Sequence, residues 1–203
     1  MFNRNTSRDL KKIIAYSSVG HMNAILIGIL TLRVESIEGS ILQMLSHGIV
    51  SGALFLCVGV IYDRYGTRFL KYYGGLTLTS PILAVVFLIF AMANISFPGT
   101  SSFVGEFLIL AGVLKESSWL AFFTALSMIL GAVYMLLVYN RIFFGNIKNI
   151  SIIKFSDVSK KELYIFGLLI FFLLIMGIYP KVFLDTFHNN VLNLIVQCKH
   201  FSI

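Results

Sequence analysis

The sequence predicts an all-α protein, a polytopic bundle of membrane-spanning helices with about five spans, one of them broken. Three observations predict it. The chain is 58% hydrophobic and only 12% charged over 203 residues, with a mean hydropathy of +0.88, whereas a soluble domain is about half apolar and about a quarter charged. Its apolar runs are about as long as a helix needs to cross the hydrocarbon. They lack the apolar–polar alternation that barrel strands would show. Such a chain has too little polar material to face water on all sides, and a bilayer tolerates it.

Residues 1–12, MFNRNTSRDLKK, read as a polar leader. No apolar core followed by a small-residue cleavage site is seen there, so no signal peptide is expected. The spans follow at about 13–32, 41–62, 79–114, 119–144 and 162–179, making a bundle over 13–180. Pro180 ends the last span, and the more polar segment 181–203 is expected at the surface or along the interface. The third stretch is long for a single straight span, and ISFPGTSS interrupts it near residues 98–99. Pro98 lacks an N–H and Gly99 adds freedom, so the helix is expected to break there. Broken helices at membrane depth occur where protein or a water-filled cavity surrounds the freed backbone. In transporters they mark an ion path. A plain kink beside a neighbouring helix is the competing reading.

The net charge of +7 follows from topology. With five crossings, twelve of the sixteen Lys and Arg residues fall on one side, among them Arg4, Arg64, Lys71 and Lys160. Only Arg33, Lys115, Lys181 and Lys199 fall on the other. The positive-inside rule then places the N-terminus on the matrix or cytoplasmic side. No nucleic-acid partner is implied. Cys57 and Cys198 read as small hydrophobic residues, neither having a Cys or His at ligand spacing.

Four titratable groups stand out. Glu106, in GTSSFVGEFLIL, falls within a span just after the break. An isolated carboxylate there costs a few kcal/mol, so it is protonated, paired or facing water. His21 has Ser17 one turn before it, and His47 has Gln43 one turn before and Ser51 one turn after. Each histidine therefore lies on a polar stripe of an apolar helix. Neutral imidazole donates and accepts hydrogen bonds and titrates near physiological pH, which suits proton relay. Interhelical hydrogen bonding is the structural alternative for both histidines and for Glu106. Lys11 shares a broad face with Ser18 and His21, although it could equally snorkel to the headgroups. A path of Lys11, His21, His47 and Glu106, supported by Ser17, Ser18, Gln43 and Ser51, is the sharp expectation. Metal-ligand spacing, phosphate loops and dinucleotide fingerprints are absent from the sequence, so no cofactor is expected on this chain and no redox chemistry of its own.

The segments DLKKIIAYSSVGHMN, ILQMLSHGIVSGALFLCVGVIYDR, FPGTSSFVGEFLIL and GIYPKVFLD resemble the chain-4 family of NADH:ubiquinone oxidoreductase, respiratory complex I. The likeness runs from Asp9 to about Asp185. This family belongs to the antiporter-like subunits, related to components of multi-subunit sodium/proton antiporters. The resemblance implies a subunit of fourteen spans containing two inverted five-span repeats, of which this chain looks like the C-terminal part. It further implies a proton half-channel in which Lys11, His21 and His47 match the family's relay and Glu106 matches its terminal exchange site. NADH, FMN, iron–sulfur clusters and ubiquinone would be bound by other subunits of the complex.

The family carries about nine further spans upstream, with a glutamate–lysine pair and a central lysine that this chain lacks. A divided subunit is the preferred explanation, and a truncated or degenerate fragment is the bland one. The implied partners are the other membrane-arm subunits, a separate chain bearing those spans, and lipid. The implied location is the mitochondrial inner membrane. A sodium/proton antiporter component and a non-conducting structural fragment are the alternatives.

Overall fold

The structure is a computed structural model and describes residues 9–146 and 156–201. The all-α bundle expected from the sequence is what is found. Among the described residues seven α-helices run in the order α1 (Leu10–Leu30), α2 (Val34–Tyr65), α3 (Pro81–Asn94), α4 (Ser101–Glu116), α5 (Ser118–Phe143), α6 (Lys160–Ile178) and α7 (Pro180–Phe201). Helices α1, α2, α5 and α6 are each long and apolar enough to cross a membrane. At a rise of 1.5 Å per residue α3 and α4 are only about 21 and 24 Å long. Neither spans a hydrocarbon core of about 30 Å alone.

Several boundaries differ from the sequence reading, each for a local reason. Helix α1 begins at Leu10, not at 13, because the Asp9 side chain caps it by accepting the Lys11 N–H at 3.1 Å. Lys11 and Lys12 therefore belong to its first turn and not to a leader; residues 1–8 lie outside the described residues. Helix α2 begins seven residues before the expected position, 41, and runs 32 residues. Its first turns are rich in Glu and Ser, which hides them from a hydropathy reading, yet α4 and α7 pack against them. It ends at Gly66, whose left-handed backbone (φ 69°, ψ 0°) lets its N–H bond the Tyr62 carbonyl, a glycine C-cap. The break in the third span is wider than Pro98 and Gly99. Non-helical backbone runs from Ile95 to Thr100, with Ser96 at φ 62° and Gly99 at φ 97°. The segment after residue 180, read only as a polar tail, is a 22-residue helix.

A large core joins α2, α3, α5 and α6 through Leu54, Leu83, Phe87, Phe90, Phe143 and Phe166, all at most 2% exposed. Ring pairs such as Phe87–Phe143 (5.2 Å) and Phe90–Phe166 (6.1 Å) tie the helices together. A smaller cluster of Ile25, Ile109, Val113 and Ala121 joins α1, α4 and α5. A third, Ile37 with Val191 and Ile195, seats α7 on α2. Trp119, Phe123, Leu130, Leu137 and Phe171 on α5 and α6 are largely exposed, as expected of surfaces that meet lipid or protein.

The polar ends group as five crossings require. At one end Arg33 pairs with Glu116, Lys115 with Glu35 (2.5 Å) and His188 with Glu38 (2.6 Å). At the other, Arg64 pairs with Glu162 (2.7 Å), the Leu10 N–H bonds the Arg68 carbonyl, and Asp157 accepts the Ile82 and Leu83 N–H groups at the start of α3.

A candidate proton-transfer site at the helix break

The break ends within two helical turns of a cluster of polar groups. Helix α4 starts at Ser101, and Glu106, five residues on, is 6% exposed. Close approach of three helices places it there. A Cβ on Gly105 would lie 2.8 Å from the Gln43 Oε1 atom, and one on Gly39 would lie 2.6 Å from the Leu108 Cβ. Only glycine lets α2 and α4 come this near, in the manner of small-residue packing between membrane helices.

Glu106 then meets partners from α1 and α2. His21 Nδ1 lies 2.9 Å from Glu106 Oε1, and Gln43 Nε2 donates to the same oxygen at 3.1 Å. The His47 ring stands 5.2 Å from the His21 ring, centroid to centroid. An imidazole and a carboxyl joined by a short hydrogen bond can exchange a proton without any other atom moving far. With Nδ1 protonated, His21 donates to the carboxylate, which supplies the partner a buried charge needs.

A cavity of about 30 Å³ opens beside this pair, lined among others by Ser17, Asn94, Ser127 and Gly131. A water needs about 10–15 Å³ of such volume together with polar partners, so one or two waters fit.

The structure brings together His21, Gln43, Glu106 and, by ring contact, His47. Ser17 lines the cavity, while its hydroxyl and that of Ser18 donate back to the Ile14 carbonyl at 2.7 and 3.5 Å. Ser51 is half-buried and takes no part in the contacts around Glu106. Lys11 is not joined to the group. Ten residues before His21 on one helix, it lies about 15 Å away along the axis. Sequence reasoning missed Asn94, Ser127 and a trio of hydroxyls in which Ser46 meets Ser101 at 2.7 Å and Ser102 at 2.6 Å. Ser46 adjoins His47 and Ser102 lies one turn before Glu106, so a search for polar neighbours one turn from each titratable group would have found the trio. Among the described residues no three His, Cys, Asp or Glu side chains are grouped to hold a metal ion.

Residues 4–129, which include all of these side chains but Gly131, match the family described as NADH:quinone oxidoreductase/Mrp antiporter, transmembrane. The chain belongs to this family. It is 58% identical over 191 residues to NADH-ubiquinone oxidoreductase chain 4 of Marchantia polymorpha, covering 94% of this chain and 39% of that protein. It is 46% identical over 187 residues to NADH-quinone oxidoreductase subunit M of Rhodobacter capsulatus, covering 92% of this chain and 36% of that protein. Among solved structures, a chain of respiratory complex I from Thermus thermophilus with bound NADH superposes with a TM-score of 0.84 at 32% identity, over 93% of this chain and 39% of that one. A chain of the Mrp complex from Dietzia superposes at 0.80 and 23% identity, over 93% of this chain and 43% of that one, which shows the shared fold. This member of the family thus spans about two-fifths of the length of the relatives it matches.

Proposed function

We propose that the chain is a membrane-arm subunit of a proton-pumping NADH:ubiquinone oxidoreductase. It supplies a proton half-channel with Glu106 as its exchange site. The observation that carries this is the 2.9 Å contact between His21 and Glu106, made beside a helix break and a cavity that admits water. In this reading Lys11, His21 and His47 pass a proton towards Glu106, with water bridging the stretch that separates Lys11 from His21. Electron transfer occurs in other subunits, which hold NADH, FMN, iron–sulfur clusters and ubiquinone. A changed charge near Glu106 alters its proton affinity by direct coupling, so this chain needs no cofactor of its own.

The enzyme sits in the mitochondrial inner membrane with the N-terminal end of α1 on the matrix side, following the charge bias of the loops. The 58% identity to chain 4 of Marchantia polymorpha favours this reading over a sodium/proton antiporter component. Replacing Glu106 with Gln tests the function. Uncoupled NADH oxidation is expected to persist while the protons moved per NADH fall; an unchanged yield refutes the role. Mass spectrometry of the native complex is expected to find this chain together with a flavoprotein.

A further inference from the structure

Resting on the function just proposed, we infer that the proton leaves Glu106 along a line of hydroxyls on α2, through Ser40 and Ser36, to the surface at Glu35 and Lys115. Ser36, Ser40, Gln43 and His47 fall at spacings of four, three and four residues, which puts them on one helix face. Ser36 and Ser40 are 0% exposed and Gln43 is 1% exposed. The line starts at the Gln43 amide, already bonded to Glu106, and covers about 10 Å of helix axis to Ser36. Glu35, the residue beside Ser36, pairs with Lys115 where both side chains are about half exposed.

Two independent features mark this seam as more than a packing surface. Gln43 Oε1 and Ser36 Oγ are buried polar atoms with no hydrogen-bond partner among the described residues. Such atoms are uncommon, and each calls for an ordered water or a functional reason. Here two of them flank Ser40 on the same face. The hydroxyls also converge on one notch. A Cβ on Gly28 of α1 would overlap Ser40 Oγ and lie 3.1 Å from Ser36 Oγ. Ser40 Oγ meanwhile donates to the Ser36 carbonyl at 2.7 Å and reaches the Ile25 carbonyl at 3.2 Å, so its lone pairs are open to accept a proton.

A water held by donating to Gln43 Oε1 would accept the carboxyl proton of Glu106 on its oxygen and pass its other proton to Ser40 Oγ. Each hydroxyl accepts a proton on an oxygen lone pair and releases its own to the next acceptor. No bond to carbon forms or breaks, and the proton reaches the Glu35 carboxylate at the surface.

The test uses the whole complex in native membranes, with Ser36→Ala and Ser40→Ala made together and Glu106→Gln as reference. If the serines only fill space, alanine fits the same seam and changes little. Removing the unpartnered Ser36 hydroxyl is close to neutral for stability, and losing the Ser40 bond to a helix carbonyl is a modest cost. The route predicts instead that the double variant keeps uncoupled NADH oxidation and lowers the proton yield as far as Glu106→Gln does. A wild-type yield in the double variant, with a reduced yield in Glu106→Gln, overturns the route and leaves the function standing. A yield unchanged by Glu106→Gln overturns both. Should the pair reduce assembly, Ser36→Ala alone decides, since it deletes only an oxygen that bonds nothing.

Discussion

Gly177 of α6 lies directly against the backbone of Gly99 in the helix break. A Cβ added to Gly177 would overlap the Gly99 carbonyl oxygen, and it would sit 2.9 Å from the carbonyl carbon. The start of α4 is therefore held from behind by α6 and from the front by α2, through the Ser46 hydroxyl contacts.

Gly177→Ala is expected to destabilise the protein by about 1–3 kcal/mol, the usual cost of forcing an extra methyl into a filled space. Neither neighbour can yield easily, because both are backbone. Gly167 of the same helix has nothing within 4 Å of its Cβ position, so Gly167→Ala serves as control. Thermal inactivation of the assembled complex checks this, and equal behaviour of the two variants removes the buttress.

His21→Gln keeps a side chain able to donate a hydrogen bond to Glu106 but cannot carry a proton. A fall in protons moved per NADH, with uncoupled turnover kept, is the expected outcome. Retention of the full yield would reduce His21 to an interhelical tie.

Asp157 accepts the first two N–H groups it can reach on α3, at Ile82 and Leu83. Helix N-termini carry unsatisfied donors and a partial positive charge. Asp157→Ala should cost about 0.5–2 kcal/mol and Asp157→Asn less, measurable as a shift in thermal stability. Equal loss in both variants would mean that charge matters more than hydrogen bonding.

Helix α7 is held mainly by its apolar contacts. Ile195 is 7% exposed against Ile37, so Ile195→Asp is expected to free α7 by burying an unpaired charge. His188→Ala removes an ion pair whose histidine side chain is 52% exposed and should change stability by less than about 1 kcal/mol. Amide hydrogen exchange across α7 separates the two: fast exchange in the first variant, near-native exchange in the second.

Hydropathy made the spans legible and lost their ends. The break was visible because Pro98 and Gly99 announce it, yet Ser96 also adopts a left-handed backbone, and nothing in serine's chemistry signals that. Hydropathy starts helix α2 seven residues late because Glu35, Ser36, Glu38 and Ser40 look like loop. They are helical because they face Lys115, Gly112 and His188 from elements far along the chain. Glu106, His21 and His47 could be singled out as titratable groups where a bilayer keeps few. That His21 contacts Glu106 directly, and that Lys11 stands apart from both, depends on how α1 and α4 cross, which no local pattern encodes. Asn94 and Ser127 escaped for the same reason: each is an ordinary polar residue on its own helix and becomes part of a site only when α3 and α5 meet α1.

The two surroundings of Glu106 are unequal. A cavity with room for water lies on the side of His21 and Asn94, while Gln43 leads into a tight seam of Gly28, Ser36 and Ser40. Unequal flanks place the slow step of transfer on one side of the carboxyl. Protonation from the cavity is easy, because water and imidazole screen the charge that moves. Transfer through the seam, in either direction, must cross closely packed atoms that solvate charge poorly. A membrane potential pushes protons inward with about 2.3 kcal/mol per 100 mV, so a poorly solvating layer worth a few kcal/mol is enough to hold back leakage when the redox reaction pauses.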